Sequence, residues 1–212
     1  MADFNLEIRK ATPKDLDNIM RVESEAWPVE ARAPRDKFEE RLIVFSDGVF
    51  LAILNKEIVG VTTSQIINYD PNTPPSSWTE ITGDGHITDT HREWGNAIYV
   101  VSLGVSPRGR PEGKGIGVGT ALLERQKKLA LELGLDYLVL SARVPGYDSF
   151  CKKLGNISID KYVKLKREDG QLEDIELRFY ERAGLRQVKI CPNTMDDKES
   201  RNYGVMMEWK AQ

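Results

Sequence analysis

The sequence has little cysteine, little net charge and no long apolar run. Its two cysteines, Cys151 and Cys191, are isolated from each other and show no CxxC or zinc-binding spacing, which is typical of a compartment in which thiols stay reduced. No apolar segment approaches the length of a membrane-spanning helix, and the first residues lack the basic and apolar regions of a secretion signal. A formal net charge of −3 argues against nucleic acid as a bulk electrostatic partner. We therefore expect a cytoplasmic protein that binds neither membrane nor nucleic acid.

The composition is that of an ordinary globular protein. Hydrophobic residues make up 40% and charged residues 30% of the 212 positions, which suits one sizeable core. Residues 68–96 are rich in Pro, Gly, Ser, Thr and Asp and show no helical or strand period, so they predict a long loop over or beside a site. We expect a single domain over residues 1–212, with insertions at about 68–96 and 144–176.

Hydrophobic periodicity predicts both strands and helices. Runs rich in β-branched residues predict strands at "FNLEIRKA", "GVFLAILN", "EIVGVTTSQII", "AIYVVSLGV", "LDYLVLSAR", "RQVKIC" and "GVMMEWK". Helical spacing predicts helices at about 16–27, 36–45, 119–133, 159–166 and 174–184. The order strand, glycine-rich turn, helix, strand over residues 97–143 is a βαβ-like unit, which places its two strands parallel.

The turn of that unit is unusually rich in glycine. In "VSPRGRPEGKGIGVGTALLE", residues 105–124, Gly113, Gly115, Gly117 and Gly119 alternate immediately before the helix. The first N–H groups of a helix lack internal partners and attract anions, and glycine removes the side chains that would block a phosphate. A P-loop would need a hydroxyl residue directly after Gly113-Lys114, and the dinucleotide spacing G-x-G-x-x-G does not occur here. The pattern predicts an anion site of another kind.

The residues around this turn resemble a known family. "LGVSP" followed by "KGIGVGTALLE" is similar to motif A of the GNAT superfamily of N-acetyltransferases. Aligned on the helix, Lys114, Gly117 and Gly119 occupy the signature positions, with Lys114 in place of the usual Gln or Arg. Aligned on the strand, the signature basic residue is Arg110. The two registers differ by four residues, which indicates a short insertion at roughly residues 109–112.

A second stretch carries the same resemblance. "RFYERAGL", residues 178–185, looks like a later motif of the family, and "YGVMMEWK" is similar to its closing strand. Other stretches resemble the GNAT domains found fused to carbon–nitrogen hydrolases. The resemblance implies an α/β fold: a mixed, strongly twisted sheet of about six to seven strands with helices on both faces.

The resemblance also implies acetyl-CoA as the acyl donor. Backbone N–H groups of residues 115–120 would hold its pyrophosphate, and the backbone of Leu103 and Val105 would pair with the pantetheine arm. The donor-binding residues that follow from the resemblance are Leu103, Gly104, Val105, Lys114, Gly115, Ile116, Gly117, Val118, Gly119 and Thr120.

Acetyl transfer to an amine needs a base for the ammonium and an acid for the departing thiolate. Tyr180 matches the tyrosine that the family uses as the acid. The base is open: Tyr99 stands where some relatives carry a glutamate, which leaves Glu93, His91 or a water relay. Tyr180, Glu93 and Tyr99 are therefore the catalytic candidates. His86 and His91 are the only histidines, and the family needs no metal, so we expect none.

The sequence therefore predicts an enzyme that transfers an acetyl group from acetyl-CoA to a primary amine by direct attack in a ternary complex. The alternative is a non-catalytic acyl-CoA-binding or sensor module on the same fold. The acceptor is expected to be a small-molecule or peptide amine, and a different donor such as succinyl-CoA stays open. We interpret residues 144–176 as an acceptor-side wall or the surface of a homodimer.

Overall fold

The computed structural model describes residues 5–109 and 117–211. Within them it contains β1 (Leu6–Lys10), β2 (Phe50–Leu54), β3 (Glu57–Ile67), β4 (Ala97–Val105), β5 (Tyr137–Arg143), β6 (Arg186–Cys191) and β7 (Gly204–Lys210). The helices are α1 (Leu16–Ala26), α2 (Arg35–Val44), α3 (Trp78–Thr82), α4 (Val118–Glu132), α5 (Tyr147–Leu154), α6 (Ile159–Tyr162) and α7 (Ile175–Arg182). Every strand expected from the sequence is present.

The strands form one mixed sheet in the order β1-β2-β3-β4-β5-β7-β6. All neighbouring strands are antiparallel except β4 and β5, which are parallel and are joined through α4. The prediction of a mixed sheet in which the two strands of the βαβ-like unit are parallel is therefore confirmed. The parallel pair is the one place in the sheet where the connection must cross over through a helix.

Helices cover both faces of this sheet because the central strands carry apolar side chains on both sides. In β2, Phe50 and Ala52 pack in the cluster that includes Leu122 of α4. Leu51, between them, packs on the other face with Ile19 of α1 and with residues of α2. Alternate residues of a strand point to opposite faces, so this one strand contacts both helical layers.

The two expected insertions contain helices that the sequence did not predict. Residues 68–96 hold α3, where Ser77 caps the helix by accepting a hydrogen bond from Glu80 N at 3.1 Å. Residues 144–176 hold α5 as well as the expected α6. Both unpredicted helices are short, five and eight residues, and lie in polar stretches where packing decides the conformation. No helix in the described residues is long and apolar enough to cross a membrane.

Candidate functional site

The parallel strands β4 and β5 separate part of the way along their length. They pair only where Ala97–Tyr99 runs beside Tyr137–Val139. Beyond that point β4 continues to pair with β3, and β5 continues to pair with β7 as far as Arg143. The carboxyl halves of β4 and β5 thus form the two sides of a wedge in the middle of the sheet.

A cavity of about 210 Å³ occupies this wedge. Its sheet walls are Val100, Val101, Ser102 and Leu103 of β4 and Leu140, Ser141 and Arg143 of β5. Side chains from α1, α2, α3 and α7 and from the connection between β6 and β7 complete it. A pocket at the carboxyl ends of parallel strands is a common place for ligands in α/β proteins.

A bulge shapes the β4 wall of the cavity. Thr63 of β3 pairs with Ser102, but the next residue of β3 pairs with Val100, so Val101 is an extra residue on β4. The indole Nε1 of Trp78 donates a hydrogen bond to the Val101 carbonyl oxygen at 3.0 Å. Bulges redirect a strand locally, and here the bulge lies where β4 leaves β5.

The amino end of α4 adjoins the same wedge. Gly117 precedes the helix with φ of +81°, and the first hydrogen bond of the helix runs from Ala121 N to the Gly117 carbonyl. The N–H groups of residues 118–120 therefore have no partner within the helix. A methyl group built on Gly119 would lie 3.4 Å from the Phe179 ring and 3.8 Å from the Leu103 side chain. Gly119 thus brings the helix end close to both β4 and α7.

Several of the expected donor-binding residues are assembled in this way. Leu103, Gly104 and Val105 lie on the β4 side of the wedge, and Val118, Gly119 and Thr120 form the first turn of α4. Lys114, Gly115 and Ile116 lie outside the described residues, as does most of the expected insertion at 109–112. Gly109, the part of that insertion that is described, ends a short turn at Pro107–Gly109 and is buried.

Gly104 has a packing role that the sequence did not indicate. A methyl group there would lie 2.9 Å from the indole Nε1 of Trp27 and 3.2 Å from the Ala26 side chain. Trp27 follows α1 and lines the cavity, and its Nε1 has no hydrogen-bond partner in the described part of the chain. The bare backbone at Gly104 therefore allows the tryptophan at the end of α1 to approach β4.

Tyr180 and Glu176 line the cavity from α7, one helical turn apart. Burial raises the pKa of Tyr180 well above its ordinary value, so its hydroxyl keeps its proton. Burial also raises the pKa of Glu176 to about 7, although Arg143 acts in the opposite direction. With 27% of its side-chain surface accessible, Glu176 remains within reach of a ligand. A carboxylate with a pKa near neutrality is suited to accept a proton.

Arg143 organises the wall next to Glu176. Its guanidinium donates to Asp197 from Nε at 2.8 Å and from Nη2 at 2.9 Å, and to Glu199 at 2.8 Å. Its backbone N–H donates to Glu176 Oε2 at 3.2 Å. Its Nη1 lies 3.8 Å from Glu176 Oε1, so three carboxylates surround this cation, and together they fix the connection between β6 and β7 against β5.

The other catalytic candidates lie away from the cavity lining. Glu93 is exposed in a turn before β4, and Tyr99 is fully buried beside Val139 in the sheet core. His91 accepts a hydrogen bond at Nδ1 from Ile66 N, and His86 pairs with a carboxylate of α2. The structure thus brings Tyr180 to the cavity but neither Glu93 nor Tyr99. Glu176, which sequence reasoning missed, was identifiable only as the carboxylate four residues before Tyr180 on one helix face.

Among residues 5–109 and 117–211, no group of three or more His, Cys, Asp or Glu side chains is arranged to hold a metal ion. The polar groups around the cavity are instead single carboxylates, guanidinium groups, hydroxyls and indoles. Together, a wedge between parallel strands, a glycine-flanked helix start and a buried tyrosine define an α/β protein with a candidate ligand site at the carboxyl ends of its parallel strands.

Comparisons with known proteins identify the family. No family model matches the chain. It is 32% identical over 209 residues to the uncharacterized N-acetyltransferase YkwB of Bacillus subtilis, a match that covers 97% of this chain and 88% of that protein. It is 30% identical over 203 residues to the probable hydrolase YhcX of the same organism, covering 95% of this chain and 38% of that protein.

Solved structures agree with the fold. The loading GNATL domain of CurA from Lyngbya majuscula superposes with a TM-score of 0.79 at 21% identity, covering 97% of this chain and 98% of that one. The GNAT-like decarboxylase GphF, in complex with isobutyryl-CoA, superposes with a TM-score of 0.78 at 24% identity, covering 96% and 98%. The chain therefore belongs to the GNAT superfamily of N-acetyltransferases, a class of acyltransferases.

Proposed function

We propose that this chain transfers an acetyl group from acetyl-CoA to a primary amine of a small molecule or peptide, within a ternary complex. The observation that carries the proposal is the contact between three parts of the site. Gly119 at the start of α4 lies against Leu103 of β4 and against Phe179, the neighbour of Tyr180 on α7. A single elongated ligand can therefore reach both the helix end and the cavity where Tyr180 and Glu176 lie.

The donor would lie along β4. Free N–H groups at the start of α4 favour phosphate, since they point outward and the helix dipole is positive at that end. The Thr120 side chain is exposed at the same end and is placed to add a hydroxyl donor. Beyond Tyr99, β4 has no pairing with β5 among the described residues, so its backbone on the wedge side suits the amide-bearing pantetheine arm. The thioester would then lie in the cavity.

The chemistry assigns one role to each α7 side chain. Glu176, with a pKa of about 7, takes a proton from the acceptor amine as its nitrogen attacks the thioester carbon. A new C–N bond forms, the tetrahedral intermediate collapses and the C–S bond breaks. Tyr180 donates its proton to the departing sulfur; burial raises its pKa, so the hydroxyl carries that proton at neutral pH. The proton taken by Glu176 returns to Tyr180 through solvent before the next turnover. Glu176 takes the place of Glu93 and Tyr99 as the proposed base.

Measuring CoA release with a panel of primary amines tests the proposal. Tyr180→Phe should lower the turnover number by about 10²–10⁴-fold, the range for losing a general acid, while acetyl-CoA binding is retained. Tyr203→Phe is the matched control because Tyr203 is a partly buried tyrosine outside the residues that line the cavity, and it should transfer at the wild-type rate.

Two outcomes would contradict the proposal that this chain transfers an acetyl group with Tyr180 as the acid. Turnover by Tyr180→Phe equal to wild type would remove the acid role. Binding of acetyl-CoA without acetylation of any amine would favour the non-catalytic acyl-CoA-binding or sensor module instead. The cytoplasmic location and the homodimer stay predictions.

A further inference from the structure

Two buried side chains of opposite charge line the cavity on the side of α1 and α2. Glu23 of α1 is 2% exposed and Arg41 of α2 is 1% exposed. Both belong to the cavity lining. Charged groups are rarely buried this completely unless they are paired, because removing a charge from water is costly. The question is what these two groups bind.

Arg41 contacts only neutral groups. Its Nε donates to the Gly85 carbonyl at 2.8 Å, and its Nη1 donates to Thr63 Oγ1 at 3.3 Å and approaches Ser102 Oγ at 3.5 Å. Its Nη2 makes no hydrogen bond, and no carboxylate lies within 4 Å of the guanidinium, among the described residues. Burial lowers the pKa of Arg41 to about 10, so the group is still a cation at neutral pH.

Glu23 is also incompletely satisfied. Its Oε1 accepts a hydrogen bond from Ala33 N at 2.8 Å, whereas its Oε2 is buried and has no hydrogen-bond partner in the part of the chain that the structure describes. Glu23 and Arg41 are near enough to influence each other's ionisation but do not form an ion pair. The cavity is therefore lined by one carboxylate oxygen and one guanidinium nitrogen, Arg41 Nη2, that have no hydrogen-bond partner in the described residues.

The other cations of the cavity provide a contrast. Arg143 is paired with Asp197, Glu199 and Glu176, and Lys37 pairs with Asp84 at 2.9 Å. Arg32, which donates from Nε to the Trp27 carbonyl oxygen, is exposed to solvent. Arg41 is thus the buried cation of this cavity that keeps a free donor edge. An arginine with such an edge binds carboxylates well, because its N–H groups match the geometry of the two oxygens.

We propose that the acceptor of this enzyme carries a carboxylate as well as its amine. Arg41 binds the carboxylate, and a polar N–H or O–H group of the same molecule donates a hydrogen bond to Glu23 Oε2. The substrate class is that of free amino acids and related small amino carboxylates. The inference rests on the proposed amine acetylation and adds to it the chemistry of the acceptor.

The test compares the standard amino acids with their carboxamides, which keep the amine and lose the carboxylate. Initial rates of CoA release and calorimetric binding to the CoA-saturated enzyme are both measured. For at least one amino acid we expect a kcat/KM at least tenfold above that of its amide. Arg41→Gln should abolish this preference through a higher KM for the acid. Arg35→Gln, on the exposed side of the same helix, should retain it.

Because the Arg41 side chain ties α2 to Gly85, its replacement risks unfolding the protein. Glu23→Gln, which is nearly isosteric, is therefore the second variant, and it should raise the acceptor KM several-fold with an unchanged KM for acetyl-CoA. Equal use of acids and amides, or a preference that survives Arg41→Gln in a folded protein, would overturn the inference. Amino acids that bind wild type but not Arg41→Gln, without any turnover, would instead support this site and refute the transferase proposal.

Discussion

Replacing Glu176 by glutamine should change the pH dependence of catalysis in a defined way. Burial raises the pKa of Glu176 to about 7, and a general base acts only in its deprotonated form. About one molecule in eleven is then deprotonated at about pH 6, and about ten in eleven at about pH 8. The ratio of wild-type to variant kcat should therefore rise about tenfold between these two values. At the plateau it should reach about 10²–10⁴, as expected for loss of a general base.

The measurement is kcat for CoA release with one saturating amine, over a range from about pH 5.5 to about pH 9. The amine itself titrates, but it does so identically in both proteins. Dividing the wild-type value by the variant value at each pH isolates the ionisation of Glu176. Glutamine keeps an oxygen that can accept the Arg143 N–H bond of 3.2 Å, so the fold should survive, and thermal unfolding checks this.

Glu93→Gln is the matched control for this experiment. Glu93 is a carboxylate of the same kind, but it is exposed in the turn before β4. Its variant should follow wild type at every pH. A flat ratio for Glu176→Gln, or a loss that appears in Glu93→Gln instead, would refute the assignment of the base to α7.

Two further predictions concern the helix end and the stability of the fold. Gly117→Ala and Gly134→Ala both place a side chain at positive φ in open space at opposite ends of α4, so each should cost about 1–2 kcal/mol in unfolding by urea. Only Gly117→Ala should weaken acetyl-CoA binding, measured by calorimetry; equal weakening would contradict a donor site at this end. The Asp15 carboxylate accepts two bonds from Arg9, which lowers its pKa well below its ordinary value. Asp15→Asn should lower the unfolding free energy by about 1–3 kcal/mol at neutral pH. This difference should shrink below about pH 4, because the wild-type carboxylate then becomes protonated in the unfolded state and its lowered pKa no longer stabilises the fold fully. A difference that does not change with pH would contradict a stabilising role for the ionised carboxylate.

The central architecture could be predicted from the sequence because its signals are local. The apolar runs of β4 and β5 and the helical spacing of α4 each lie within one continuous segment. A crossover through a helix then makes the two strands parallel, and the glycine at the helix start is visible by itself. Tyr180 was found in the same way, through a motif within one helix. The sequence did not predict the helices α3 and α5, which depend on packing in polar surroundings.

The proposed base could not be predicted because its chemistry depends on distant parts of the chain. Glu176 is one of many glutamates in the sequence, and neither its type nor its neighbours set it apart. Its raised pKa arises from burial in a wall that also contains Arg143 of β5 and Asp197 from the connection between β6 and β7. These residues are brought together only by the sheet order β5-β7-β6.

The burial of Arg41 on α2 also could not be predicted from the sequence. The sequence of this helix, "RDKFEERLIV", is mostly charged and is typical of a solvated surface helix. Arg41 is nevertheless buried, because the chain near Gly85 packs against α2 and the Gly85 carbonyl oxygen accepts a hydrogen bond from Arg41 Nε. The length and composition of residues 68–96 predicted a loop beside a site. In the structure, Gly85 of this segment covers the Arg41 guanidinium and helps to bury it.

These two sides of the cavity divide the work of the proposed enzyme. Tyr180 lies on α7 within "RFYERAGL", which resembles a family motif, and Glu176 lies one turn before it, whereas Glu23 and Arg41 lie on helices whose sequence carries no family motif. Charges that serve the fold, such as Arg143, are neutralised by neighbouring carboxylates, whereas Arg41 has no carboxylate within 4 Å among the described residues. The unsaturated edge of Arg41 is therefore the feature that distinguishes acceptors. Replacing Arg41 should therefore change which amines are acetylated, whereas the proton transfers by Glu176 and Tyr180 on α7 should stay the same.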